Sequence, residues 1–108
     1  NRPTEYEKDV VVWKKDTPGK SKEILIALYS LIKNATVSAW TKDEITALLM
    51  PYAEKEGKGT VLWPLRYALS GKKESIDPFT LLHLLGKEES LARIAFAVQY
   101  IYDEHISA

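Results

Sequence analysis

The 108-residue chain contains no cysteine, which excludes disulfides and thiolate metal sites. It also lacks any run approaching the roughly 18 apolar residues that cross a bilayer, so no membrane partner is expected. The start Asn1-Arg2-Pro3-Thr4 opens no signal peptide and reads as the interior of a longer protein, with the cytoplasm as the expected compartment. An excess of charge is missing too: fifteen Lys and Arg balance fifteen Asp and Glu. That counts against a free-standing nucleic-acid binder, which carries a basic excess. It leaves room for a local patch that reads bases while other domains hold the phosphates. No repeat, low-complexity segment or long linker divides the chain, so residues 1–108 are expected to form a single domain.

Catalytic equipment is equally sparse. Enzymes need convergent nucleophiles, bases or metal ligands. The two histidines, His83 and His105, fall on separate helical segments with no ligand-type neighbours at helical spacing. Gly57-Lys58-Gly59-Thr60 lacks the upstream glycine that a phosphate-cradling loop requires. Glu88-Glu89 suits the positive end of a helix rather than a catalytic pair. The acidic start Glu5, Glu7, Asp9 reads as a solvated face. No catalytic residue and no metal site is expected.

What the chain does have is helical periodicity. Apolar residues make up 45% of it, which argues against extended disorder. Their spacing predicts about six helices and no strand, hence a compact all-α bundle. The first is expected over residues 6–16, ended by Pro18-Gly19. The second is expected over residues 21–34, with Ile24, Leu25, Leu28, Leu31 and Ile32 as its stripe. Thr41-Lys42-Asp43-Glu44 fits a capping box for a third helix, with Trp40 and Ile45 placed as a hydrophobic staple and Pro51 as an expected kink. A loop over residues 56–60 precedes a fourth helix that Gly71 closes. Asp77-Pro78 opens a short fifth helix that Gly86 ends, and a sixth covers residues 87–105.

The fourth helix carries the candidate contact surface. At about 100° per residue, Val61, Leu62, Leu65, Ala68 and Leu69 share one side. Trp63, Arg66, Tyr67 and Ser70 fall on the other. Two aromatics around a guanidinium suit stacking on bases and bidentate bonding to a base edge. Aromatics at this spacing also suit packing against another helix, so Trp63 and Tyr67 have two readings. On periodicity alone the chain is a helical interaction module, for RNA or for protein.

The segment Pro64-Leu65-Arg66-Tyr67-Ala68-Leu69-Ser70-Gly71, followed by Pro78-Phe79 and Leu84-Leu85-Gly86-Lys87-Glu88, resembles the C-terminal end of bacterial-type glutamyl-tRNA synthetases. That family runs P-L-R-x-A-L-[ST]-G, a short variable loop, an F, then L-L-G-K-E and a closing amphipathic helix. The resemblance is most specific over residues 61–95 and covers nearly the whole chain. It implies the distal, α-helical anticodon-binding domain of a class I ligase that attaches glutamate to tRNA. By position, the family's anticodon-approaching residues fall on Arg66, Ser75, Ile76, Asp77 and Pro78. The loop departs from the family's Thr-or-Ser-Pro-Gly-like pattern: Ser75 keeps a hydroxyl and the proline is displaced. Phe79, Leu84 and Leu85 match family positions and read physically as core. Trp63 and Tyr67 are candidate stacking residues, and Lys58, Lys72, Lys73 and Arg93 are candidate phosphate contacts. The family's H-I-G-H-like and K-M-S-K-S-like signatures are absent here. ATP and magnesium therefore belong to the parent's catalytic domain. The implied partners are glutamate tRNA, glutamine tRNA in some members, and the N-terminal domains of the same synthetase.

Overall fold

The computed structural model describes residues 17–36, 39–72 and 75–102. They form five helices: α1 Pro18–Lys33, α2 Lys42–Glu56, α3 Lys58–Ser70, α4 Pro78–Leu85 and α5 Lys87–Tyr102. No strand occurs among the described residues, as the all-α reading requires. The count is five rather than about six. The helix expected over residues 6–16 lies outside the described residues, as does the end of the last helix beyond residue 102.

Local signals set most of the boundaries. Thr17 caps α1 by accepting the Lys20 amide at 3.1 Å, and Pro18 is the first helical residue. Pro18-Gly19 was expected to end a helix over residues 6–16, which lies outside the described residues; α1 was expected from residue 21 and begins at Pro18. The missing proline amide is harmless there because first-turn amides have no intrahelical acceptor. At α2 the capping box is complete: the Thr41 hydroxyl accepts the Glu44 amide and the Glu44 carboxylate accepts the Thr41 amide, both at 3.2 Å. The helix continues through Pro51. Pro51 and Ala47, whose carbonyl loses its partner there, both lie on the exposed side. Water can satisfy that carbonyl.

Gly57 alone separates α2 from α3. Its φ of 108° is open to glycine and closed to side-chain-bearing residues. Its amide closes α2 on the Ala53 carbonyl, while its carbonyl accepts the Val61 amide. One residue thus does the work expected of a loop over residues 56–60, and α3 starts earlier than its apolar stripe suggested. Gly71, in the left-handed conformation, ends α3. Asp77 and Gly86 bound α4 as expected.

The core is one cluster built around α3, which packs against all four other described helices. α1 supplies Ile24, Leu25, Leu28 and Ile32; α2 supplies Ile45, Leu49 and Ala53; α4 supplies Phe79 and Leu82; α5 supplies Ile94, Ala97 and Val98. Leu84 was read as core but is 67% exposed. The short α4 buries only its Pro78, Phe79 and Leu82 side, and Leu84 faces away from it. The connection before α2 is tied down as well. Trp40 takes a φ of 53°, a conformation that costs a non-glycine residue about 1–2 kcal/mol. Its indole N–H donates to the Leu82 carbonyl at 2.7 Å.

Two substitutions test this account by urea unfolding. Leu65→Ala, at a fully buried position on α3, should lower stability by about 2–5 kcal/mol. Thr41→Ala, which removes only the cap, should lower it by about 0.5–2 kcal/mol.

Candidate nucleic-acid interface

Because α3 is enclosed by four helices, its buried face is wider than half its circumference. Val61, Pro64, Leu65, Tyr67, Ala68 and Leu69 are buried, an arc of about 200° at 100° per residue. What remains is a strip of Gly59, Leu62, Trp63, Arg66 and Ser70, all half-buried. Within it the Arg66 guanidinium carbon lies 5.2 Å from the Trp63 ring centroid. This cation–π stack restricts where the guanidinium sits.

The loop after α3 returns toward this strip. The Ser70 hydroxyl donates to the Arg66 carbonyl at 2.8 Å and accepts the Lys72 amide at 3.1 Å. The chain's exit is thus fixed just past Gly71. The Ser75 hydroxyl donates to the Ile76 carbonyl at 3.1 Å, and Ile76 is 49% exposed. Asp77 then caps α4, accepting the Thr80 amide at 3.0 Å and the Thr80 hydroxyl at 2.7 Å. Lys42, from the start of α2, lies 3.6 Å from its second carboxylate oxygen. Lys58, Gly59, Leu62, Trp63 and Arg66 on one side and Asp77 and Pro78 on the other enclose an open groove of ≈ 420 Å³.

The groove's electrostatics are mixed. Arg66 and Lys58 bring positive charge, and Asp77 brings negative charge. Partial burial would raise the Asp77 pKa. The two Thr80 hydrogen bonds and the Lys42 charge outweigh it and hold the carboxyl below its ordinary value. Asp77 is therefore ionised at neutral pH.

The groove brings together Lys58, Trp63, Arg66, Asp77 and Pro78, although Pro78 is itself largely buried. Ser75 and Ile76 belong to the loop that leads to it, and Lys72 is exposed at that loop's start. Lys73 lies outside the described residues. Two expected contacts are corrected. Tyr67 is only 5% exposed and belongs to the core, so it is not placed to stack on a base. Two-sided partition of the helix misplaced it because it sits at the border of an unusually wide buried arc. Arg93 is 8% exposed. Its Nη1 donates to the Leu69 carbonyl at 2.8 Å and its Nε to Glu89 at 2.8 Å. It is an internal clamp on the last turn of α3, where a cation also suits the helix dipole, and is not placed to meet a phosphate.

Gly59 and Leu62 are groove residues that the sequence reading left out. The signal was there: 59, 62, 63 and 66 repeat the i, i+3, i+4, i+7 spacing of one helix face. It was hidden by assigning Gly59 to a loop. The Lys42 contribution has no sequence signal, since it comes from another helix. Among the described residues no cluster of His, Asp or Glu is placed to hold a metal ion, and no helix is long and apolar enough to cross a membrane.

The chain matches the family model described as anticodon binding domain over residues 1–98. It is 38% identical over 77 residues to glutamate–tRNA ligase 2 of Brucella ovis, covering 69% of this chain and 16% of that protein. It is 33% identical over 102 residues to glutamate–tRNA ligase of Clostridium kluyveri, covering 92% of this chain and 21% of that protein. The chain thus spans about a sixth to a fifth of the length of these curated relatives. No solved structure matches it at a significant level.

Two of the candidate phosphate contacts give separable outcomes. Arg93→Ala removes the bonds to the Leu69 carbonyl and to Glu89, and should lower stability by about 1–3 kcal/mol in urea unfolding. Lys58→Ala, on the exposed rim, should change it by less than about 0.5 kcal/mol. Asp77 should show in the acid limb. A depressed carboxyl pKa stabilises the fold above the unfolded-state value, about 3.9, and this contribution is lost as pH falls through the lower folded-state value. Asp77→Asn keeps a capping oxygen without the charge. Circular dichroism on acid titration should show the wild-type advantage over this variant at pH 6 and its progressive loss as pH falls from about 4 through the lower folded-state value.

Proposed function

We propose that this chain, which belongs to the family of anticodon binding domains, reads the anticodon of a tRNA as the C-terminal domain of a glutamate–tRNA ligase. One observation carries the reading. Arg66 stands at a groove closed on its far side by the loop that leads into α4, within a chain similar to glutamate–tRNA ligases from two distant bacteria.

In this reading a splayed anticodon base enters the groove and Arg66 bonds its edge. Single-stranded RNA is read in this way because unstacked bases expose their pairing edges. A bidentate guanidinium contact contributes about 1–3 kcal/mol of discrimination, by analogy with DNA. Trp63 supports the guanidinium from behind and gives the base an apolar wall together with Leu62 and Pro78. Ser75, Ile76 and Asp77 form the approach on the loop side. Lys58 and Lys72 are exposed next to this path and, with Lys73, serve as phosphate contacts that position the RNA without selecting sequence. The partners are glutamate tRNA, with glutamine tRNA as a second substrate in ligases that accept both, and the other domains of the same ligase. ATP and magnesium act in the catalytic domain, which this chain does not contain, and the compartment is the cytoplasm.

Arg66→Ala in the full-length ligase tests the assignment. It should lower kcat/KM for glutamate tRNA about tenfold to hundredfold, the equivalent of the lost base contact. The KM values for glutamate and ATP should not change, since those sites lie in another domain. Unaltered tRNA kinetics would remove Arg66 from the site.

A further inference from the structure

The short segment between α1 and α2, together with the first residue of α2, touches both ends of α4. At the C-terminal end, the Trp40 indole N–H donates to the Leu82 carbonyl at 2.7 Å. The Trp40 carbonyl lies 2.9 Å from His83 Nδ1; a carbonyl only accepts, so Nδ1 is the donor. At the N-terminal end, two residues further along, Lys42, the first residue of α2, pairs with Asp77. Trp40 makes its two contacts from a positive φ, the one non-glycine residue among those described to adopt it. Such a conformation persists only where the surroundings over-determine it. Here they do: the indole is packed against the core and bonded at its far edge, while the carbonyl is bonded on the other side.

α4 matters because its cap and first residue, Asp77 and Pro78, are the far wall of the groove that Arg66 enters. The helix is only eight residues long; it buries Pro78, Phe79 and Leu82 fully and packs Leu81 and Leu85 against the core in part. Apolar packing sets its distance from α3. It is less able to fix slide along its axis and rotation about it, because dispersion contacts are non-directional. Two directional bonds to one turn and an ion pair at the other end supply that missing restraint.

We propose that Trp40 is a positioning residue for tRNA recognition, acting with Lys42 as a brace that holds α4, and so the Asp77–Pro78 wall, in register with Arg66. Trp40 does not line the groove and acts only through α4. This rests on the anticodon-reading role proposed for the groove.

The test uses Trp40→Phe in the full-length ligase, alone and combined with Arg66→Ala. Phenylalanine keeps an apolar ring and deletes one donor. The KM for glutamate tRNA should rise about threefold to tenfold, the equivalent of one hydrogen bond, with kcat and the KM for glutamate unchanged. In the Arg66→Ala background the same substitution should have almost no further effect, because the wall then has no partner to be aligned with. Lys42→Met, a surface change with little consequence for folding, should act in the same direction and show the same non-additivity. A fall in kcat with constant KM, an equal effect in both backgrounds, or no effect of either variant would overturn the brace. Arg66→Ala separates the two levels of failure. If it changes tRNA kinetics and the brace variants do not, only the brace is wrong. If it is itself silent, the reading of the groove falls and the brace falls with it.

Discussion

α3 is enclosed by four helices and yet keeps one strip free, and the rest of the arrangement depends on that geometry. A helix at a bundle's edge buries a stripe of about 100°; α3 buries about twice that. It therefore carries Val61, Leu65, Ala68 and Leu69 as core and also turns Pro64 and Tyr67 inward. The abrupt Gly57 turn brings α3 into this enclosed position directly from α2, with no loop to absorb misalignment. Gly71 ends α3 at the other end, and Asp77 and Pro78 line the same groove as the strip.

The same enclosure explains how a chain with zero net charge manages its ions. Several charges serve the fold. Lys20 pairs with Glu56 at 2.9 Å between the start of α1 and the end of α2. Lys42 pairs with Asp77, and Arg93 with Glu89. Only the last involves a deeply buried group, and it is stabilised because the guanidinium also satisfies the Leu69 carbonyl, an acceptor left open by the end of α3. The exposed pairs contribute little to stability; their value is directional. Near the groove the described cations are few: Lys58 and Arg66 line it and Lys72 is exposed nearby. That suits the proposed role of selecting a base within a larger protein, because affinity for the backbone can then come from elsewhere.

Much of this was legible in the sequence where the signal is local. The Thr41 to Glu44 box, the Asp77-Pro78 start and the Gly71 and Gly86 ends are decided by atoms within a few residues of one another. The motif around Arg66 led to the family, and the helix that presents Arg66 was placed correctly to within a few residues at its start. Two errors share one cause: periodicity shows that a face is apolar, not how many neighbours the helix has. Tyr67 was assigned outward because a single-sided helix would expose it. Leu84 was assigned inward because the short α4 was credited with more neighbours than it has. Arg93 was read as solvent-facing by charge type, since nothing in sequence reveals that a carbonyl of another helix waits for it. The start of α1 was placed at residue 21 rather than Pro18 because Thr17 had not been recognised as its cap.

Asp77 limits what the groove accepts. A phosphate entering beside Arg66 would also face this carboxylate, which Thr80 and Lys42 keep ionised. Arg66 would attract it and Asp77 would repel it, and the desolvation of a phosphate in a partly apolar groove would remain uncompensated. A neutral base meets no such conflict: its acceptors face the guanidinium and its amino groups can face the carboxylate. Leu62, Trp63 and Pro78 complete an apolar enclosure that stacks a flat ring more readily than it solvates an anion. The capping residue of α4 thus does two things at once. It starts the helix that forms one wall, and it makes the groove better suited to a base edge than to the backbone that carries it.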